Sequence, residues 1–178
     1  MKRIFTPLAA LAAVVLSLSP SASAKGSFTC TTTGNVFTIL DQNIVVPAGA
    51  TCGLVLDTVN GNIQIGNNAS ANIIFSTVNG NVSVGSDSTV TLDFDIVNGN
   101  VSIGAGSQAA LAFDKLNGNY SAFDASSDLA FSSFVKNVTI TGGTYSLALD
   151  TIGKNLTCNG GATGFLIFNS IGGHNDGC

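Results

Sequence analysis

The chain has 178 residues, of which 45% are hydrophobic and only 9% charged, and its formal net charge is −4 at neutral pH. An acidic surface repels phosphate backbones and anionic bilayers, which argues against nucleic-acid or membrane-surface partners. With no C-x-x-C pair and a single histidine, His174, the cysteines do not read as a zinc site.

Residues 1–24 read as an export signal. Lys2 and Arg3 form a basic start, Ile4 to Leu18 is mostly apolar, and Ala22-Ser23-Ala24 offers a small-x-small cleavage site. Thr6, Pro7 and Ser17 interrupt the apolar run, which is too short for a membrane anchor. The predicted mature domain, 25–178, has a one-domain length and no further segment that could span a bilayer. It contains no Arg, Glu, Trp or Met, and its four lysines face ten aspartates, a formal charge of −6. A secreted or cell-surface location is expected. Cys30, Cys52, Cys158 and Cys178, an even count in an exported chain, read as disulfides.

A motif then recurs every 19 residues: Val59-Asn-Gly-Asn62, Val78-Asn-Gly-Asn81, Val97-Asn-Gly-Asn100 and Leu116-Asn-Gly-Asn119. The register runs upstream to Asn43 and, with one-residue deletions, downstream through Asn137 and Asn155 to His174. A short fixed period means stacked units that bury their apolar sides on one another. Around the motif, apolar columns alternate with polar ones: Val59, Val78, Val97 and Leu116 before it, and Ile63, Val82, Val101 and Tyr120 just after it. Such period-two alternation of β-branched residues is a strand with one face buried. A turn follows, opened by Gly66, Gly85 and Gly104. A second alternating strand comes next, expected to point Leu54 and Leu56, Ile73 and Phe75, Leu92 and Phe94, and Leu111 and Phe113 inward. Later coils carry the pattern one residue early, in Leu129 and Phe131, Tyr145, Leu147 and Leu149, and Phe165 and Ile167. Each coil thus has two clear strands and a third, irregular side.

Equivalent strands of successive coils must pair in parallel, and parallel crossovers are right-handed in nearly all cases. The expected fold is all-β: a single-stranded right-handed parallel β-helix of about seven coils of 18–19 residues, a rod of about 34 Å. Asn-Gly also favours hairpin turns, but a meander would not keep identical columns at a fixed 19-residue register. The Asn-Gly glycines fall on the inward parity, so crowding at a narrow part of the coil accounts for them. Exposed strand edges at both ends invite aggregation unless capped. The cysteines sit at those ends, and separations of about one coil suit the pairs Cys30–Cys52 and Cys158–Cys178, stacked in neighbouring layers.

At this point a resemblance is visible. Ile152-Gly-Lys-Asn-Leu-Thr-Cys158-Asn-Gly, then Asn169-Ser-Ile-Gly-Gly173 and a final Gly177-Cys178, resembles the closing segment of small exported bacterial β-helix proteins. Val46-Pro-Ala-Gly-Ala-Thr-Cys52 resembles their opening coil. The resemblance implies architecture and no activity. The fold also resembles the bactofilins, which polymerise; this chain departs from them in its export signal and cystine-bearing ends.

Two groups of residues could carry function. Asp95 and Asp114 stack in a column with Asp57, Ser76, Ser132, Asp150 and Asn169, and Asp93 lies nearby on the same outward side. Stacked carboxylates could hold Ca²⁺ or act as the acid pair of a glycosidase; a solvated polar edge that prevents sticking is the plainer expectation. An Asn/Ser face comprises Asn60, Asn62, Asn79, Asn81, Ser83, Asn98, Asn100, Ser102, Asn117, Asn119 and Ser121. It could bind an ordered lattice, a glycan or ice, or serve as a hydrogen-bonded ladder along the rod. The Asn-x-Ser/Thr sequons at Asn81, Asn100, Asn119, Asn137 and Asn155 follow from the repeat and are not read as glycosylated. His174 reads as a cap at the end of the Asn column. The expected function is structural or interactive, a rigid rod without catalysis or cofactor. Its partners would be cell-envelope polysaccharide, another surface protein or a second copy. A minimal carbohydrate-active enzyme at Asp93, Asp95 and Asp114 is the remaining alternative.

Overall fold

The computed structural model describes residues 26–36 and 39–178, so the export signal read at 1–24 lies outside the described residues. The chain is a parallel β-solenoid of about eight turns, with no helix among the described residues. Three parallel sheets form its sides, of nine, eight and eight strands. One coil shows the pattern: Thr77–Val78, Val82–Val84 and Thr89–Asp93 each add one strand to a different sheet. At about 4.8 Å per coil the rod is about 38 Å long.

The columns read from the repeat are the pairing registers. Val82 lies between Ile63 and Val101, and Leu92 between Ile73 and Leu111. The first sheet points Ile44, Ile63, Val82, Val101, Tyr120, Val138 and Leu156 inward, and all are buried. Tyr120 is tolerated in this apolar column because its hydroxyl shares a 2.7 Å hydrogen bond with buried Ser127. The second sheet contributes Leu54, Ile73, Leu92, Leu111, Leu129 and Leu147, and the third Val59, Val78, Val97, Leu116, Phe134 and Ile152.

The structure corrects the reading of the coil in three places. The third side is not irregular: residues such as Thr77–Val78 and Ile96–Val97 form an eight-stranded sheet of two-residue strands. The strand read through Asn-Gly-Asn bends there, because Gly61, Gly80, Gly99 and Gly118 turn inward against the coil before. A Cβ on Gly99 would lie 2.4 Å from the Gly80 carbonyl oxygen. The stack also extends upstream of Asn43, the first position of the 19-residue register, since Ser27–Thr29 pairs with Asn43–Val46.

The largest correction concerns the corner between the second and third sheets. Leu56, Phe75, Phe94, Phe113, Phe131 and Leu149, expected inside, all face solvent, and Phe168 continues the column. Each adopts a left-handed backbone, with φ between 52° and 60°. That conformation turns the side chain out and lets the chain change direction between two inward-facing strands. At the opposite corner the left-handed column holds Gly49, Asn68, Asp87, Gly106 and Asp124, residue types that visit this region at low cost. Phe165 and Ile167 are also outside. In the last coil Leu166 is the residue that pairs with Leu147 over the core.

Both cystines expected at the ends are present, Cys30–Cys52 and Cys158–Cys178. Disulfides of this kind belong to an oxidising, extracellular or periplasmic environment. No helix among the described residues is long and apolar enough to cross a membrane.

Candidate functional site

The aspartate column lies just after the exposed corner residues, and it faces the opposite way from the solvated edge expected. Asp57, Asp95, Asp114 and Asp150 are buried, Asp95 and Asp114 to 1% and 3% exposure. Asp93 is half-buried on the outer face of the second sheet and does not join them. The reason lies in the corner backbone. A chain that turns between two strands leaves amide groups outside either ladder, and buried amides need acceptors. The column supplies them. The N–H of Ser76 donates to Asp95 Oδ1, that of Asp95 to Asp114 Oδ1 at 2.7 Å, and that of Asp114 to Ser132 Oγ. The series continues from the Ser132 N–H to Asp150 Oδ1 and from the Asp150 N–H to Asn169 Oδ1. The second oxygen of Asp95 accepts from the Asp93 amide. Oδ2 of Asp114 and of Asp150 makes no hydrogen bond within the usual limits, only a weak approach from the amides of Ala112 and Ala148.

Burial dominates the titration of these groups. It pushes Asp95 up to about 7, against the downward pull of the amide hydrogen bonds from Ser76 and Asp93. Asp114 goes up to about 8, first through burial and then through the neighbouring charges of Asp95 and Asp93, opposed by the Asp95 amide. Asp150 is pushed up to about 6 by burial, opposed by the amides of Ser132 and Ala148. These carboxyls act as corner pins between coils, a role that Ser76, Ser132 and Asn169 fill in the same column. A glycosidase pair must reach a glycosidic oxygen, and Asp95 and Asp114 lie inside the corner wall.

The Asn/Ser face is exposed or half-buried as read, but it is not one plane. Asn60, Asn79, Asn98 and Asn117 stand on one side of the Asn-Gly bend, and Asn62, Asn81, Asn100 and Asn119 on the other. Both columns are hydrogen-bonded ladders along the rod. Asn81 Oδ1 accepts from the backbone N–H of Asn100 at 2.8 Å and from its Nδ2 at 3.3 Å. The same pair of contacts recurs from Asn62 up to Asn137. Beyond the bend, the Asn98 amide donates to Asn79 Oδ1 and the Asn117 amide to Asn98 Oδ1. His174 closes the first ladder, its N–H donating to Asn155 Oδ1 at 3.0 Å. It lines a shallow open hollow with Asn155, Thr157, Asn175 and Asp176. On the flat first sheet one outward column remains: Gln64, Ser83, Ser102 and Ser121 are exposed and directly aligned.

The sequence reading missed the outward column of Phe75, Phe94, Phe113 and Phe131. Neighbouring rings stack with centroids 4.7–4.9 Å apart and planes within 19° of parallel. Compared with known proteins, the chain matches no family model, no curated protein and no solved structure.

Proposed function

We propose that this chain is an exported structural rod of the cell surface or secreted matrix, acting through shape and rigidity and without catalysis. One observation carries the reading: the polar side chains best suited to chemistry are tied from coil to coil. Asp95 and Asp114 hold corner amides. The asparagines share their acceptors with the next coil, and the cystines pin coils at both ends. A cross-linked stack of this kind resists bending and local opening, which suits a spacer or scaffold.

A second reading is favoured by the aligned column of Gln64, Ser83, Ser102 and Ser121, whose exposed polar groups repeat every coil. A regular array of this type fits an ordered polysaccharide or ice surface. The deciding experiment incubates the mature protein with insoluble cellulose, chitin, peptidoglycan and ice, and assays the soluble fraction for released sugar. A structural rod is not retained and releases nothing. Retention lost on Ser83→Tyr with Ser102→Tyr would establish the lattice binder instead. Sugar release abolished by Asp95→Asn would overturn both readings in favour of an enzyme.

A further inference from the structure

Among the described residues, the corner ladder running from Leu56 to Phe168 is a long apolar stripe that the rod leaves uncovered. It spans seven coils, about 29 Å. The rings of Phe75, Phe94, Phe113 and Phe131 face one another along the axis and turn their edges to solvent. Along these four the faces are therefore taken, and a sugar ring cannot stack between them. The edges remain: Phe75, Phe94, Phe113 and Phe131 are each about half exposed, and Phe168 is 87% exposed. Taking about 200 Å² for a whole phenylalanine, the stripe with Ile96 and Ile167 presents on the order of 800 Å². That exceeds the apolar patch of an ordinary monomer and equals what each partner contributes to a standard interface.

The backbone adds an independent observation. Every rung of this column is left-handed with a bulky side chain, whereas the other left-handed column uses Gly, Asn and Asp. Bulky residues are disfavoured in that region, and a corner alone would be made more cheaply by glycine. The side chains are kept outward at a conformational cost.

We infer that two copies of this chain pair side by side through the ladder, with their rods parallel. The flanking charges choose the direction. The column beside the rings on the second sheet carries one charge, Asp93, and the column on the third sheet carries one, Lys115. A two-fold axis along the rods sets the Asp93 flank of one copy against the Lys115 flank of the other, one coil apart, and makes the contact twice. An axis across the rods sets like flank against like, bringing Asp93 toward Asp93 and Lys115 toward Lys115. Only the parallel arrangement is complementary.

The test is the mass of the mature protein by sedimentation equilibrium across the micromolar range. A dimer is expected. Phe94→Asn with Phe113→Asn keeps residues that accept the left-handed backbone. It should weaken the dimer by more than about a hundredfold with an unchanged circular dichroism spectrum. Asp93→Lys should weaken it by about tenfold, and adding Lys115→Asp should restore it. A wild-type monomer throughout, or a dimer indifferent to the Phe→Asn pair, overturns the inference. A monomer that binds phosphatidylcholine vesicles or chitin through the same phenylalanines also overturns it and gives the ladder to that occupant. Antiparallel pairing, in which like already faces like, would show as a dimer that Asp93→Lys does not weaken, and would overturn the assigned direction.

Discussion

Single residues in this rod are under two constraints, the closeness of the next coil and the need to satisfy corner amides. The buried aspartates show the second. Asp95, Asp114 and Asp150 keep their protons to about pH 7, 8 and 6, well above their ordinary value of 3.8. The folded chain therefore holds protons that the unfolded chain releases. The stability that these three carboxyls contribute is complete below about pH 4 and is lost as pH rises through 6 to 8. A melting temperature at least about 5 °C higher at pH 5 than at pH 9 is expected by calorimetry. Asp114→Asn keeps the Oδ1 acceptor without the charge, as Asn169 does naturally, and should flatten that dependence. Glycine shows the first constraint. Gly99→Ala would place its Cβ 2.4 Å from the Gly80 carbonyl oxygen. The obstacle is backbone and cannot move aside, so a loss of about 2–3 kcal/mol is expected in a denaturant titration. Ser102→Ala, on the exposed column, should stay within about 0.5 kcal/mol.

At the scale of the strand, stability comes from columns more than from any one coil. Two- and three-residue strands would not persist alone. They persist because each is paired on both sides and its polar neighbours repeat the pairing through side chains. Removing one acceptor should then be felt in the next coil. Asn100→Ala deprives the Asn119 N–H of its 2.8 Å partner and is expected to cost about 1 kcal/mol by chemical denaturation. The end strands lack a neighbour on one side, and the cystines compensate. Cys158–Cys178 closes a loop with a separation of 20 residues, worth about 3 kcal/mol in the chain-entropy view. Cys158→Ser with Cys178→Ser should speed amide exchange across Thr163–Ile167 while Val82–Val101 stays protected.

For the whole molecule, near-identity of the coils implies that the rod is modular. Deleting residues 82–100 joins Asn81 to Val101 and removes one complete period. The product should fold with the same cystines and be shorter by about 4.8 Å in small-angle scattering. Loss of folding would show that the stack is not a sum of nearest-neighbour contacts. The three-sided section also sets where partners can approach. The Ser83 column lies on a flat side, the Asn columns straddle one corner, and the Phe94 ladder runs along another.

The stack itself was legible in the residues. A period of 19 fixes which residues lie above one another, so the parallel register, the Val59 and Ile63 columns, the Asn ladders, the inward glycines and both cystines could be read without coordinates. Parity within a strand could also be read, because alternate side chains face opposite ways. What spacing along one strand could not supply was the geometry of the corners. Asp95 shares the parity of inward Val97, which hinted at burial, yet a carboxylate reads as solvated until the orphaned amides around it are seen. Inward Ile73 and Val78 are an odd number of residues apart, so the alternation must break between them. Nothing in the alternation says that Phe75 is the residue turned out. Periodicity repeats a local pattern and so determines how coils stack. Where the chain bends, and which side chains face out there, depends on backbone angles and amide hydrogen bonds that exist only once three sheets close around a common core.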